Sequence, residues 1–178
     1  MTEQVIPSVY FRQPGPENTS RTLAVAARRA EELGIDHILV ASTTGQTGRL
    51  AAHEMQGRQL VVVSHSAGFA GPNQQELLAQ ERAEIEALGG RVLTCQHAFG
   101  GVGRAIRRKL GTYQVDEIIA FTLRTLGQGA KVACEITLMA TDAGLVPAGR
   151  EVIAIGGTGR GADTALVLLA ANSQDLFE

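Results

Sequence analysis

The chain has 178 residues, 44% of them hydrophobic and 19% charged, with a mean hydropathy of +0.05. That is enough apolar material for one domain spanning residues 1–178, and it excludes a disordered chain. A net charge of −2 gives no electrostatic reason to expect a nucleic-acid or anionic-membrane partner.

No apolar run approaches membrane-spanning length, the longest being residues 165–171. The amino terminus, MTEQVIPSVYF, lacks the basic and apolar regions of a signal peptide, so a cytoplasmic protein is expected. Cys95 and Cys134 lie far apart without a CxxC spacing and imply no disulfide framework.

Residues 5–11 are apolar and extended, ended by Pro14-Gly15-Pro16. Asn18 or Thr19 then caps a helix whose buried stripe is Leu23, Ala26, Ala27, Ala30 and Leu33, stopped by Gly34. The next stretch, DHILVASTTGQTGRLAAHEM, organises the rest. Ile38, Leu39, Val40 and Ala41 read as a strand covered on both faces, and Leu50, Ala51, Ala52 and Met55 recur at helical spacing. Between them stand Ser42, Thr43, Thr44, Gly45, Gln46 and Thr47, four of the six bearing hydroxyls. Such a loop presents unpaired N–H groups at the positive end of a helix dipole, where phosphate binds well. A tight turn with an N-cap needs only one Ser or Thr, so an anion site is the favoured reading.

Residues 59–65 form a second buried strand, residues 67–73 a loop and residues 74–88 an amphipathic helix closed by Gly89-Gly90. Residues 91–95 form a third strand, and the intervening helices make the sheet parallel. Three helical stretches follow over residues 97–109, 115–126 and 130–143. The last is almost wholly apolar and is expected to be buried. Residues 151–155 and 164–170 are strands joined by GGTGRGAD, too short a connection for a helix, so they pair antiparallel.

His65 and His97 stand at the carboxyl ends of neighbouring parallel strands, the edge where α/β folds bind ligands; proton transfer or hydrogen bonding to a heterocycle are both open to them. Only Glu135 offers a further metal ligand, so no metal site is expected. Glu135 interrupts an apolar helix and needs a partner, either Arg124 or Lys131 or the hydroxyls of a ligand. His37 and His53 read as surface residues, and Asp142 as a cap on the turn into Gly144. The run Gly156, Gly157, Thr158, Gly159, Arg160 and Gly161 is not a dinucleotide fingerprint, because Ala162 stands where the third glycine belongs. It offers close backbone approach, N–H donors and a permanently charged fork at Arg160. The glycines at 100, 101 and 103 fail the same frame and suit helix packing. The basic cluster of Arg104, Arg107, Arg108 and Lys109 reads as a solvated helix face.

Five stretches carry a resemblance: HILVASTTGQT, VVVSHSAGFAGPNQQEL, GRVLTCQHAFGGVGRAI, EIIAFTLRTLGQGAKVACEITLMATDAGLVP and EVIAIGGTGRGADTALV. Together they cover nearly the whole chain. They resemble the C-terminal domain of pyruvate kinases and, more closely, small stand-alone archaeal and bacterial proteins built on that domain. The resemblance implies a three-layer α/β/α fold around a five-stranded mixed sheet, mostly parallel with the last strand antiparallel. In the kinases this domain holds a fructose bisphosphate effector, one phosphate in the loop corresponding to residues 42–47 and the other end near residues 156–161. The kinase barrel has no counterpart here, so pyruvate kinase activity is not expected. The stand-alone members imply flavin mononucleotide (FMN) as the ligand, its phosphate in residues 42–47, its ribityl chain and ring running past His65 and His97 towards residues 156–161, and Glu135 within reach of its hydroxyls. A flavin-dependent oxidoreductase, a non-catalytic sensor of a phosphorylated metabolite and an assembly subunit are the functional readings that result. The apolar helix favours a homo-oligomer.

Overall fold

Three segments carry unbroken apolar runs at their centres, and burial on both faces follows. In the computed structural model, which describes residue 3 and residues 5–178, these are β1 (His37–Ala41), β2 (Gln59–Ser64) and β4 (Glu151–Gly156). With β3 (Arg91–Thr94) and β5 (Thr164–Leu169) they form one sheet in the order β3-β2-β1-β4-β5. All pairings are parallel except β4 with β5, the hairpin joined by the glycine-rich turn.

The two-residue period of the strands feeds two cores. Ile38, Val40, Leu60, Val62, Ile153 and Ile155 face α1 (Thr19–Leu33), α2 (Gln46–Glu54) and α3 (Ala79–Ala87). Leu39, Val61, Val63, Val152 and Ala154 face α6 (Gln128–Asp142), whose Ala133, Ile136, Met139 and Ala140 close the second core. Outside α6 lies α5 (Val115–Arg124), joined to it through Ala120, Leu138 and the nearby Phe99, and α4 (Val102–Leu110) packs against α5. This is the expected three-layer α/β/α arrangement. The apolar helix is indeed the buried one.

Several boundaries differ from the sequence reading. Residues 5–11 join no strand of the sheet, and Val5 and Tyr10 are exposed. The stretch read for a leader lies partly outside the described residues. The helix expected from residue 74 begins only at Ala79, where the extended Leu78 gives its N–H to the Thr44 carbonyl and not to a preceding helical turn. The helix expected from residue 97 begins at Val102, after a turn in which Gly101 takes a φ of 70°. Among the described residues, no helix is long and apolar enough to cross a membrane.

Candidate functional site

Register fixes which loops meet. Ala41 lies beside Val63 and Val40 beside Ile155, so the segments that follow β1, β2 and β4 emerge side by side at the carboxyl edge. In the loop after β1, Ser42 is buried and its Oγ accepts the Gly48 N–H at 3.1 Å, tying down one donor of the first turn of α2. The Thr44 carbonyl accepts from Leu78 N–H at 3.1 Å. Gly45 takes a φ of 105°, and a Cβ there would run into Glu81 of α3. These contacts leave the N–H groups of Thr43, Thr44, Gly45, Gln46 and Thr47 without an acceptor among the described residues. Five consecutive free donors thus lead into the N-terminus of α2, an arrangement suited to an anion. Thr44 and Gln46 are exposed, Thr43 is half-buried and Thr47 is buried.

The neighbouring strand contributes His65. Its Nδ1 lies 2.8 Å from Glu76 Oε2 and its Nε2 3.5 Å from Thr43 Oγ1. His97, after β3, accepts the Ser66 N–H on Nε2 at 3.4 Å, which places its proton on Nδ1, 3.7 Å from Glu135 Oε2. Phe69 completes a ring cluster, 4.1 Å from His65 and stacked on His97 at 4.9 Å between centroids, with the Arg104 guanidinium 4.8 Å from its own.

Glu135 sits beneath this rim. It accepts the Phe99 N–H at 3.0 Å and pairs with Lys131, one helical turn away on α6. Of the two partners open to it in the sequence, Lys131 is the one engaged; Arg124 donates to Gln128 instead. Burial alone would raise the Glu135 carboxyl, but His97 and Lys131 outweigh it and bring it down to about 2. Burial likewise pulls the Lys131 ammonium below the ordinary lysine range, with Glu135 acting against it.

A carboxyl depressed in the folded state contributes stability above its unfolded value and loses it as the pH falls. The protein should therefore lose stability as the pH drops from 4.5 towards about 2. Denaturant titrations across that window should show a shallower pH slope in Glu135→Gln. Equal slopes would mean that Glu135 carries no such coupling.

A cavity of about 60 Å³ opens between these groups, lined by Ser42, Thr43, His65, His97 and Glu135 over the apolar floor of α6. A larger and more open recess of about 760 Å³ lies at the opposite edge, lined by Asp36, His37, Arg91, Arg150 and Glu151. Its charges are mixed, Asp36 and Glu151 standing beside Arg91 and Arg150, and Arg91 donates to the Leu145 carbonyl. His37 on its rim differs from the surface residue expected: its Nδ1 is buried and unpaired. His53 is about half exposed, and Asp142 binds Asn172 and Ser173, tying down the carboxyl terminus.

The glycine-rich turn stands beside the β1 loop, but most of its glycines answer to the chain itself. A Cβ at Gly156 would lie 2.9 Å from the Gly129 carbonyl, and one at Gly161 2.5 Å from the Pro16 backbone. Asp163 Oδ2 accepts the N–H groups of Thr158 and Gly15, and Thr19 Oγ1 accepts that of Ala162. Gly159 and Arg160 are exposed at the tip, and Gly157 and Thr158 are half-buried. Arg160 is the basic side chain of this turn. Among the described residues, no group of three or more His, Cys, Asp or Glu side chains is placed to hold a metal.

The family model described as pyruvate kinase, alpha/beta domain, matches residues 20–168. The chain belongs to this family. Its five-stranded mixed sheet with an antiparallel last strand is the one the resemblance implies. Among solved structures, a pyruvate kinase from Cryptosporidium parvum matches at 13% identity, over 86% of this chain and 23% of its own, with a TM-score of 0.44. Another, Cryptosporidium parvum pyruvate kinase in complex with ADP, matches at 13% identity over 93% and 25%, with a TM-score of 0.45. The alpha/beta domain thus spans about a quarter of the length of the solved structures it matches.

Two members of the rim escaped the sequence reading. Glu76 was assigned to a helix, and Phe69 to a loop without a role. The late start of α3 releases Glu76 to reach back to His65, held by Gln75 on the His65 carbonyl and by Leu78 on the Thr44 carbonyl. The available signal was the missing apolar stripe between Leu78 and Ile85.

Proposed function

We propose that this protein binds a phosphorylated ligand at the carboxyl edge of its sheet, and that the ligand is FMN. The run of five unpaired N–H groups from Thr43 to Thr47 is the observation that carries the phosphate. The stacked Phe69 and His97 rings offer a flat face for the flavin, and the resemblance to the stand-alone family members supplies its identity. Arg160 and the Gly159 tip border the same edge as further contacts. A bound flavin supplies redox chemistry, while the chain's residues orient it and set the charge around it.

A second reading, a sensor for a phosphorylated metabolite without a flavin ring, draws on the cavity of about 60 Å³, which is too small to enclose a tricyclic ring. FMN must then lie over the rim, not within it. We also propose self-association. The apolar helix is covered within the chain, and exposed apolar residues of α5, among them Val115, Ile118 and Phe121, are available for it.

The visible spectrum of purified protein, recorded before and after FMN is added and the excess removed, decides between the ligands. Retained flavin bands are expected. A colourless protein whose melting temperature rises with a sugar phosphate but not with FMN would overturn the flavin and leave the sensor, since a ligand specific to the native state must stabilise it.

A further inference from the structure

The geometry points to a second chemistry at the same edge: a Thr43–His65–Glu76 relay that cleaves short-chain carboxylic esters through an acyl-threonine. Glu76 holds the Nδ1 proton of His65 at 2.8 Å, so the Nε2 lone pair faces outward to the Thr43 hydroxyl at 3.5 Å. That is the order of a hydroxyl nucleophile, its base and the carboxylate that orients the base; the nucleophile–base distance is commonly long before substrate binds. An ion pair that merely pinned the 66–76 loop would need no hydroxyl on the other imidazole nitrogen.

A second observation is independent of the first. Thr43 stands at a strand-to-helix turn, and the residues immediately after it, Thr44 and Gly45, have unpaired N–H groups. Donors in that position stabilise the oxyanion of a tetrahedral intermediate. The cavity against Thr43 and His65 is floored by Val63, Val132, Ile136 and Met139 and is about 60 Å³, which suits a short acyl chain and excludes a long one.

In the first step the Thr43 Oγ forms a bond to the carbonyl carbon while its proton passes to His65 Nε2. The C–O bond to the alcohol then breaks as His65 returns that proton to the leaving oxygen. Water repeats the sequence on the acyl-threonine, releasing the acid and restoring the Thr43 hydroxyl. The net reaction is ester plus water to acid plus alcohol and needs no co-reactant. Thr43 and His65 are the catalytic residues, and Glu76 is a positioning residue.

The full chain is incubated with p-nitrophenyl acetate, quenched in acid and mapped by peptide mass spectrometry alongside stopped-flow release of nitrophenolate. We expect an acetyl group on Thr43, retained in Thr43→Ser and lost in Thr43→Ala, with all three proteins melting alike. Glu76→Gln should slow acylation by about 10²–10⁴-fold without changing the ester concentration at half-saturation, and Glu76→Asp should restore part of the rate. Equal nitrophenolate release from wild type and Thr43→Ala, or acetyl found only on other residues, would overturn the assignment. The inference does not rest on the flavin. Acylation of Thr43 in a chain that fails to retain FMN would uphold it and sink the flavin reading, whereas FMN that protects Thr43 from acylation would show both using the same amides.

Discussion

Replacing Lys131 with methionine is expected to destabilise the protein by about 3–5 kcal/mol, the usual consequence of leaving one partner of a buried ion pair alone. Lys131 and Glu135 are 7% and 4% exposed, so water does not replace the lost partner. Methionine keeps the length and most of the volume of the side chain, which separates loss of charge from loss of packing. Glu135 would retain the Phe99 N–H and His97 but lose its counter-charge. The double variant Lys131→Met with Glu135→Leu should recover much of the loss, because replacing both buried charges by apolar groups is often neutral. Recovery stops short of complete, since the Phe99 N–H then lacks its acceptor at a cost of about 1–3 kcal/mol. Urea titration of the three proteins measures this directly. A single variant as stable as wild type would show that the pair contributes nothing to the fold.

The second large effect concerns binding. Thr44→Asp is expected to weaken FMN and inorganic phosphate by two or three decades while leaving the fold intact or slightly more stable. Thr44 is exposed and its N–H is among the five free donors. An aspartate there stands at the N-terminus of α2, where a negative charge contributes about 0.3–1 kcal/mol of stability. The same charge repels an arriving phosphate by about 3–4 kcal/mol per unit charge a few ångströms away, at the effective dielectric of a protein surface. Thr44→Val removes the hydroxyl without the charge and should cost far less. Isothermal titration paired with thermal melts reads both quantities. Unchanged affinity in Thr44→Asp would place the phosphate elsewhere.

The fold was legible because its signals are local and strong. The apolar runs of β1, β2 and β4 bury on both faces, and the connection between β4 and β5 is too short for a crossover. The β1 loop was legible because four hydroxyls cluster where a strand meets a helix. Within it the roles divide as composition cannot show: Ser42 turns inward to hold Gly48, and Thr43 faces His65. The partnership of His65 with Glu76 depends on where α3 starts, and helix boundaries are decided by tertiary packing as much as by periodicity. Glu135 announced itself as a charge in an apolar helix, yet only the fold brings His97 and the Phe99 N–H to it. The glycine-rich turn shows the converse. Its composition reads as ligand contact, while Gly156 and Gly161 are explained by the approach of Gly129 and Pro16.

Assigned backbone amide resonances followed during titration with FMN test the central claim most directly. The five amides of Thr43, Thr44, Gly45, Gln46 and Thr47 should move together and saturate, with inorganic phosphate shifting the same set at higher concentration. Shifts confined to the opposite edge around Arg91 and Arg150, or no shifts at all, would contradict a phosphate site at the carboxyl end of β1.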